Sequence, residues 1–206
     1  ELLLCKRILV HTPDDLNVLK ELGLVSNVSL FPHGISVPKY SKSQEINHIF
    51  SKFNSFNKPI NISTFGFCLP NKGYQNLIKA IKYLADDNFN VHLYMYCSEY
   101  SNQYKYLIQE LNDLAINLSI ENIVSIKSDY VEEDQISYYL SKSDLIVFPY
   151  EQSLESSSAS VRQGLASGKP VMVTPSKIFQ DVSSLVYTTN GFTSKDLYLS
   201  IKDYLN

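Results

Sequence analysis

Short apolar segments alternate with segments of helical periodicity along most of the 206-residue chain. In the helical segments, apolar residues recur every three or four positions, as on one face of a helix. The strand-like segments are 60–67, 91–97, 122–127, 144–150, 170–174 and 184–187, and the helix-like segments are 74–85, 104–115, 133–142, 156–167 and 194–205. This alternation predicts an α/β fold, a Rossmann-like parallel sheet with helices on both faces. Such sheets bind ligands at the carboxyl ends of their strands.

The first 37 residues carry a strand–helix–strand pattern of their own. Strands are predicted at 7–12 and 27–35, and a helix between them starts at Pro13, capped by Thr12. Residues 38–58 are polar and rich in Ser, Lys and Asn. We therefore divide the chain into residues 1–37, a linker at 38–58 and a domain at 59–206.

The composition excludes several classes of protein. A formal net charge of −3 does not suit a nucleic-acid binder, and no apolar run reaches the length of a membrane-spanning helix. The three cysteines, Cys5, Cys68 and Cys97, are far apart, which indicates reduced thiols in a cytoplasmic protein. The four histidines lack the spacing of metal ligands, so we expect no metal site and no bound cofactor.

One strand end has the features of a phosphate site. In residues 63–73, "STFGFCLPNKG", the strand reaches Gly66, and Lys72 and Gly73 open the next helix. Glycine allows close approach of a ligand, while the helix N-terminus and Lys72 supply positive charge. The alternative is an ordinary loop with a surface lysine.

A second strand end, 144–150, leads to Glu155 and three consecutive serines, Ser156, Ser157 and Ser158. The serines can cap the following helix. A carboxylate beside them suits hydrogen bonds from neutral hydroxyl groups, such as those of a sugar. The alternative is that Glu155 only places a negative charge at a helix N-terminus. The sequence contains neither G-x-G-x-x-G nor a P-loop motif.

The two strand ends, taken in order, resemble a known family. "FGFCLPNKGYQNLIKAIKYL" and "SDLIVFPYEQSLESSSASVRQGLASGKPVMVT" are similar to the C-terminal domain of retaining, GT-B-fold glycosyltransferases of group 1. That family has a G-x-x-x-x-x-K-G loop and a Glu-x7-Glu element followed by A-x-G-x-P-V. The resemblance extends over about residues 58–190.

The resemblance implies that the domain binds a nucleotide sugar. Lys72 would bind the donor diphosphate near Gly66, Phe67 and Gly73, and Glu155 would bind hydroxyl groups of the donor sugar. The backbone of Ser156, Ser157 and Ser158 would lie against phosphate or sugar. Lys72 and Glu155 are then the catalytic residues, without a metal. The acceptor would be a saccharide or a lipid-linked molecule.

The sequence departs from the family at two of these positions. Phe67 stands where the family often has arginine, so one phosphate contact is lost or supplied elsewhere. Gln163 stands where the family has a second glutamate that reaches the ribose, and an amide can still bond a ribose hydroxyl. Arg162 is a further candidate for charge near the pocket, but on a helix it points about 100° away from Gln163.

The favoured hypothesis is a retaining glycosyltransferase of which this chain is mainly the donor-binding half. A non-catalytic nucleotide-sugar module of the same fold and an unrelated phosphoryl-binding α/β protein are the alternatives. The resemblance further implies polysaccharide biosynthesis, with peripheral association at the inner membrane, and the many Asn, Ile, Lys and Tyr residues indicate a bacterial source. Residues 1–37 would be the remnant of an acceptor-side domain in a longer protein. Their apolar strands should pack on the main domain or pair between chains as a homodimer.

Overall fold

The computed structural model describes residues 1–35, 58–153 and 155–206, and its elements follow the predicted alternation closely. The strands are β1 (Ile8–Val10), β2 (Val28–Leu30), β3 (Ile60–Cys68), β4 (Val91–Glu99), β5 (Val124–Lys127), β6 (Leu145–Phe148), β7 (Val171–Val173) and β8 (Tyr187–Thr188). The helices are α1 (Pro13–Glu21), α2 (Tyr74–Asp86), α3 (Lys105–Asn117), α4 (Glu133–Ser141), α5 (Ala159–Ala166) and α6 (Ser194–Leu205). Three 3-10 segments lie at Leu2–Leu4, Asn102–Tyr104 and Lys177–Leu185.

Six strands form one parallel sheet in the order β5-β4-β3-β6-β7-β8. The chain runs outward from β3 to β5, then returns to the other side of β3 with β6. The strand order therefore reverses between β3 and β6. In a sheet of this kind the crevice at such a reversal, outside the carboxyl ends of the strands, is where ligands bind.

Both faces of this sheet are buried. Along β6, Leu145 and Val147 join one hydrophobic cluster with helices α2, α3 and α6, while Ile146 and Phe148 join a second cluster with α4 and α5. Successive side chains of a strand point to opposite faces, so a strand covered on both sides needs apolar residues throughout. The run "LIVF" of β6 has this composition, which confirms the predicted α/β fold with helices on both faces.

Two secondary-structure predictions were wrong in detail. The strand predicted at 184–187 is instead the end of the 3-10 segment Lys177–Leu185, and only Tyr187 and Thr188 pair with β7. Within the predicted strand Leu185 and Tyr187 are exposed, while the buried residues of the 3-10 segment, Ile178, Phe179 and Val182, precede it. The helix predicted at 156–167 begins at Ala159, because Ser158 is its N-cap and keeps an extended backbone.

The N-terminal strands form a separate small unit. β1 and β2 pair in parallel around a core of Val10, Leu24 and Val28. Several apolar side chains of this unit remain exposed, including Leu3, Leu4 and Leu22. Pairing between chains stays a prediction, as do the domain boundaries, and the predicted linker lies, except for Lys58, outside the described residues.

Arg162 connects the N-terminal unit to the main domain. Its side chain is only 5% exposed, pairs with Asp181, and donates from Nη1 to the Ser158 carbonyl at 2.8 Å and from Nε to the His33 carbonyl at 2.9 Å. All of its strong contacts are therefore internal. The sequence placed Arg162 near the pocket as a possible ligand charge; burial and the Asp181 carboxylate assign it a structural role instead.

Replacing Arg162 with methionine should destabilise the protein by about 3 kcal/mol, because the nearly buried Asp181 carboxylate loses its partner. The exposed pair of Lys82 and Asp86 provides the control, since Lys82→Met should cost less than about 0.5 kcal/mol. Urea denaturation followed by circular dichroism measures both. Equal losses of unfolding free energy in the two variants would contradict the structural role of Arg162.

Candidate functional site

The loops that follow β3 and β6 meet directly above the crevice. The Glu151 amide donates to the Asn71 carbonyl at 2.8 Å, which joins the two loops through their backbones. Gly73 has a left-handed backbone with φ of 66°, and a Cβ atom there would lie 1.8 Å from the Pro149 carbonyl oxygen. Only glycine fits this contact. The loop that carries Lys72 is thereby held against the end of β6.

Gly66 allows a second close approach within the same crevice. A Cβ atom at Gly66 would lie 3.1 Å from the Ser160 hydroxyl oxygen and 3.3 Å from the hydroxyl oxygens of Tyr74 and Tyr150. The hydroxyl groups of both tyrosines are buried at this point. The role of Gly66 here is therefore close packing of β3 against the start of α5, and its place as a donor-binding residue stays a prediction.

Lys72 is the buried cation of the site. Its side chain is 13% exposed, and Nζ lies 3.5 Å from Oε2 of Glu155 and 3.9 Å from the centroid of the Tyr150 ring. Burial lowers the pKa of Lys72 below its ordinary value, while the Glu155 carboxylate acts in the opposite direction. A partly desolvated ammonium with one carboxylate partner is well suited to receive a second anion.

Glu155 occupies the outer side of this pair. Its side chain is 57% exposed, and its backbone amide donates to the Ser153 hydroxyl at 3.1 Å. Both Glu155 and Ser156 line a cleft of about 660 Å³ that lies between the main domain and α1. The structure thus brings together Lys72 and Glu155, the two predicted catalytic residues, although they are 83 positions apart in the sequence.

The three serines after Glu155 differ in their surroundings. Ser158 is buried, and its hydroxyl accepts a hydrogen bond from the Val161 amide at 3.3 Å, so it caps α5 as predicted. Ser156 is exposed toward the cleft and Ser157 is half-buried. Contact of the serine backbone with phosphate or sugar stays a prediction, with Ser156 and Ser157 the more accessible positions.

The side-chain amide of Gln163 makes a hydrogen bond within the protein. Its Nε2 donates to the Ser137 hydroxyl at 2.6 Å, a contact that joins α5 to α4. This bond uses one of the two N–H groups of Nε2, so a bond from Gln163 to a ribose hydroxyl would use the second N–H or the amide oxygen. The predicted role in donor binding stays untested for this residue.

Phe67 presents an apolar surface at the carboxyl end of β3. Its ring is 44% exposed and stands edge-on to Tyr100, with ring centroids 5.3 Å apart. Tyr100 directly follows β4, the neighbouring strand. The position where the family often has arginine therefore carries no charge, and the positive charge of this part of the site comes from Lys72.

Sequence reasoning missed Tyr150. It ends the segment "DLIVFPY", which was read only as a strand, yet its ring forms the surface under Lys72. An aromatic residue directly after a buried strand and beside a candidate charged loop was the available signal. The contact itself depends on β6 lying next to β3, which the alternation of elements does not specify.

The described part of the chain contains neither a metal cluster nor a membrane-spanning helix. Across residues 1–35, 58–153 and 155–206, His, Cys, Asp and Glu side chains form no group of three or more that could hold a metal ion. No helix within these residues has the length and apolar character needed to cross a membrane.

Comparison with known proteins identifies the family. The model of a family described as glycosyl transferases group 1 matches residues 60–195, about two thirds of the chain. The chain belongs to this family. The match covers β3 to the start of α6, and therefore both strand ends that hold Lys72 and Glu155. No curated protein matches the sequence significantly.

Solved structures of glycosyltransferases share the fold. Anabaena Alr3699/HepE in complex with UDP and glucose aligns with a TM-score of 0.78 at 15% identity over 98% of this chain and 54% of that one. An α,α-trehalose-phosphate synthase (UDP-forming) from Burkholderia xenovorans gives 0.78 at 7% identity over 98% and 54%. The C-terminal domain of a Francisella tularensis group 1 protein, LpcC, gives 0.61 at 14% over 70% and 74%.

These likenesses confirm the α/β fold and match it to GT-B glycosyltransferases. At such low identity they establish the fold alone. The chain spans about half the length of most of these structures.

The close contact between Gly73 and Pro149 should contribute to the stability of the folded protein. Gly73→Ala should lower the free energy of unfolding by about 3 kcal/mol or more, because the new methyl group adds a clash to a strained left-handed backbone. Gly168 is the matched control: it has φ of 70° but open space at its Cβ position, so Gly168→Ala should cost about 1 kcal/mol. Thermal and urea denaturation of both variants measure the difference, and losses of the same size would show that the clash is relieved.

Proposed function

We propose that the protein is a retaining glycosyltransferase and that this chain forms mainly its donor-binding half. The observation that carries the proposal is the buried ammonium of Lys72, 3.5 Å from Glu155, at the strand-order reversal of a chain in the group 1 family. A cation at this place suits the diphosphate of a nucleotide sugar. The complexes of Alr3699/HepE with UDP and with UDP-glucose are consistent with this ligand class.

The proposed reaction transfers a sugar from a nucleoside diphosphate to an acceptor hydroxyl. The bond between the anomeric carbon and the diphosphate oxygen breaks, and a bond to the acceptor oxygen forms with the same anomeric configuration. The proton of the acceptor hydroxyl leaves with the diphosphate. Lys72 stabilises the negative charge that develops on the departing diphosphate. Glu155 accepts hydrogen bonds from sugar hydroxyls and so fixes the orientation of the sugar. The acceptor, a saccharide or a lipid-linked molecule, approaches through the 660 Å³ cleft beside α1.

A non-catalytic nucleotide-sugar module is the second candidate. Two observations favour it: Phe67 provides no charge beside the loop glycine, and Gln163, whose amide donates to Ser137, provides no carboxylate. A glycosyltransferase would consume the nucleotide sugar, whereas a non-catalytic module would only bind it. Incubation with each nucleoside diphosphate sugar, followed by proton NMR of the anomeric signals, detects sugar transfer or release and gives the configuration of the product. Binding without any turnover by the longer protein would favour the module.

Lys72→Met should weaken binding of the nucleoside diphosphate by about 10- to 100-fold, because a charge-assisted hydrogen bond to phosphate is lost. Calorimetric titration with UDP, GDP and ADP identifies the base and measures the effect. Lys79→Met, which removes an exposed lysine on α2, is the control and should leave binding unchanged. Equal affinity in wild type and Lys72→Met would contradict the proposed phosphate site.

Glu155→Gln should have different effects on the two parts of donor affinity, the part from the diphosphate and the part from the sugar. Removing the carboxylate takes a negative charge away from Lys72, so affinity for the free nucleoside diphosphate should stay the same or rise. The additional affinity that the sugar confers should fall by about 10-fold, since a charged acceptor of hydroxyl hydrogen bonds is lost. Calorimetry with the diphosphate and its sugar conjugate gives both numbers. A sugar contribution that survives the substitution would argue against the role of Glu155.

A further inference from the structure

Tyr150 is the least expected member of the site. Its ring is 1% exposed, lies at the carboxyl end of β6, and faces Lys72 Nζ at 3.9 Å from the ring centroid. Three other lysines of the described chain lie over tyrosine rings, at 5.0 to 5.4 Å. The contact with Lys72 is the shortest of the four, and a cation over an aromatic face gains most where water is excluded.

The surroundings of Tyr150 hold its ring in a fixed orientation. Phe148 packs against it nearly perpendicularly at 6.0 Å, and Phe179 packs against it at 5.1 Å. The Tyr150 carbonyl also accepts a hydrogen bond from the Thr174 hydroxyl. A ring enclosed in this way offers a rigid surface to the flexible lysine side chain.

The ring acts on Lys72 through its electron distribution and not through a charge. Burial raises the pKa of Tyr150 to about 12, so the phenol is neutral at physiological pH. The buried hydroxyl lies beside the side chains of Ser158 and Ser160, and it is the ring face that contacts the ammonium. Phenylalanine at this position would therefore preserve the contact.

We propose that Tyr150 is a positioning residue that holds the Lys72 ammonium in the crevice while its anionic partner changes from Glu155 to the diphosphate. Without ligand, the carboxylate and the ring face share the ammonium. When the diphosphate binds, it takes the place of Glu155 beside Lys72, and the carboxylate becomes free to accept hydrogen bonds from the sugar. The ring keeps Lys72 in place during this exchange. The inference rests on the proposed function.

A double-mutant cycle between Tyr150 and Lys72 tests this inference. Tyr150→Leu should weaken UDP binding, or that of whichever nucleoside diphosphate the wild type binds, by about 3- to 30-fold, and Tyr150→Phe should restore it. In the Lys72→Met background, Tyr150→Leu should have no further effect on diphosphate affinity, because the ring acts only through the ammonium. Binding of the nucleoside without phosphate should be the same in all variants.

The outcomes distinguish the inference from the proposed function. If Lys72→Met leaves diphosphate affinity unchanged, the proposed function fails. If Lys72→Met weakens binding but Tyr150→Leu does not, or weakens it equally in both backgrounds, the positioning role of Tyr150 is overturned.

A second series avoids the cavity that leucine creates in the aromatic cluster. Phenylalanine analogues with one, two and three ring fluorines at position 150 keep nearly the same shape but progressively reduce the negative potential of the ring face. Diphosphate affinity should fall stepwise along the series while thermal stability stays nearly constant. An affinity independent of fluorination would overturn the proposal even if Tyr150→Leu fails to fold.

Discussion

The site depends on how β3 and β6 are joined. At their amino ends the strands are tied tightly, because the Asn61 amide donates to the Asp144 carboxylate at 2.8 Å and the Asp144 amide donates to the Asn61 carbonyl at 2.8 Å. Their ladder then covers only two residue pairs, whereas β3 pairs with β4 over nine. Two strands fixed at one end and unpaired at the other leave a crevice at the carboxyl end. The loops bearing Lys72 and Glu155 occupy this crevice.

The ammonium of a lysine inside this crevice loses hydration, and other contacts have to replace the lost interactions with water. One carboxylate at 3.5 Å and one ring face at 3.9 Å provide that compensation. Neither encloses the ammonium completely, and burial still lowers the Lys72 pKa. The partial compensation matters, because it leaves the Lys72 ammonium able to bind a ligand anion. The Arg162 guanidinium, by contrast, is nearly buried, with its charge paired with Asp181 and two further N–H groups donated to carbonyls.

The sequence predicted two kinds of feature: helices and strands, from their periodicity, and candidate site residues, from their places after strand ends. The strand and helix segments from 60 to 173 were found nearly to their bounds, and Lys72 and Glu155 became candidates because both follow strands whose carboxyl ends share an edge. What was missed depends on which strands are neighbours. The contact of Tyr150 with Lys72 can be predicted only once the strand order is known. The same holds for the contacts of Arg162 with Asp181 and His33. The strand predicted at 184–187 was placed too early in the chain, because Leu185 still belongs to the 3-10 segment and pairing with β7 begins at Tyr187.

The two departures from the family pattern have the same physical consequence. With Phe67 at the end of β3, the described loop between β3 and α2 contains one cation, Lys72. With Gln163 bound to Ser137, α5 contributes no carboxylate to the crevice. Among the described residues, the ion pair at the Lys72 ammonium is then with one carboxylate, that of Glu155. In such a site, affinity for a dianion depends less on total charge than on how firmly that one ammonium is held, so residues that position Lys72 gain importance over residues that would add a second cation.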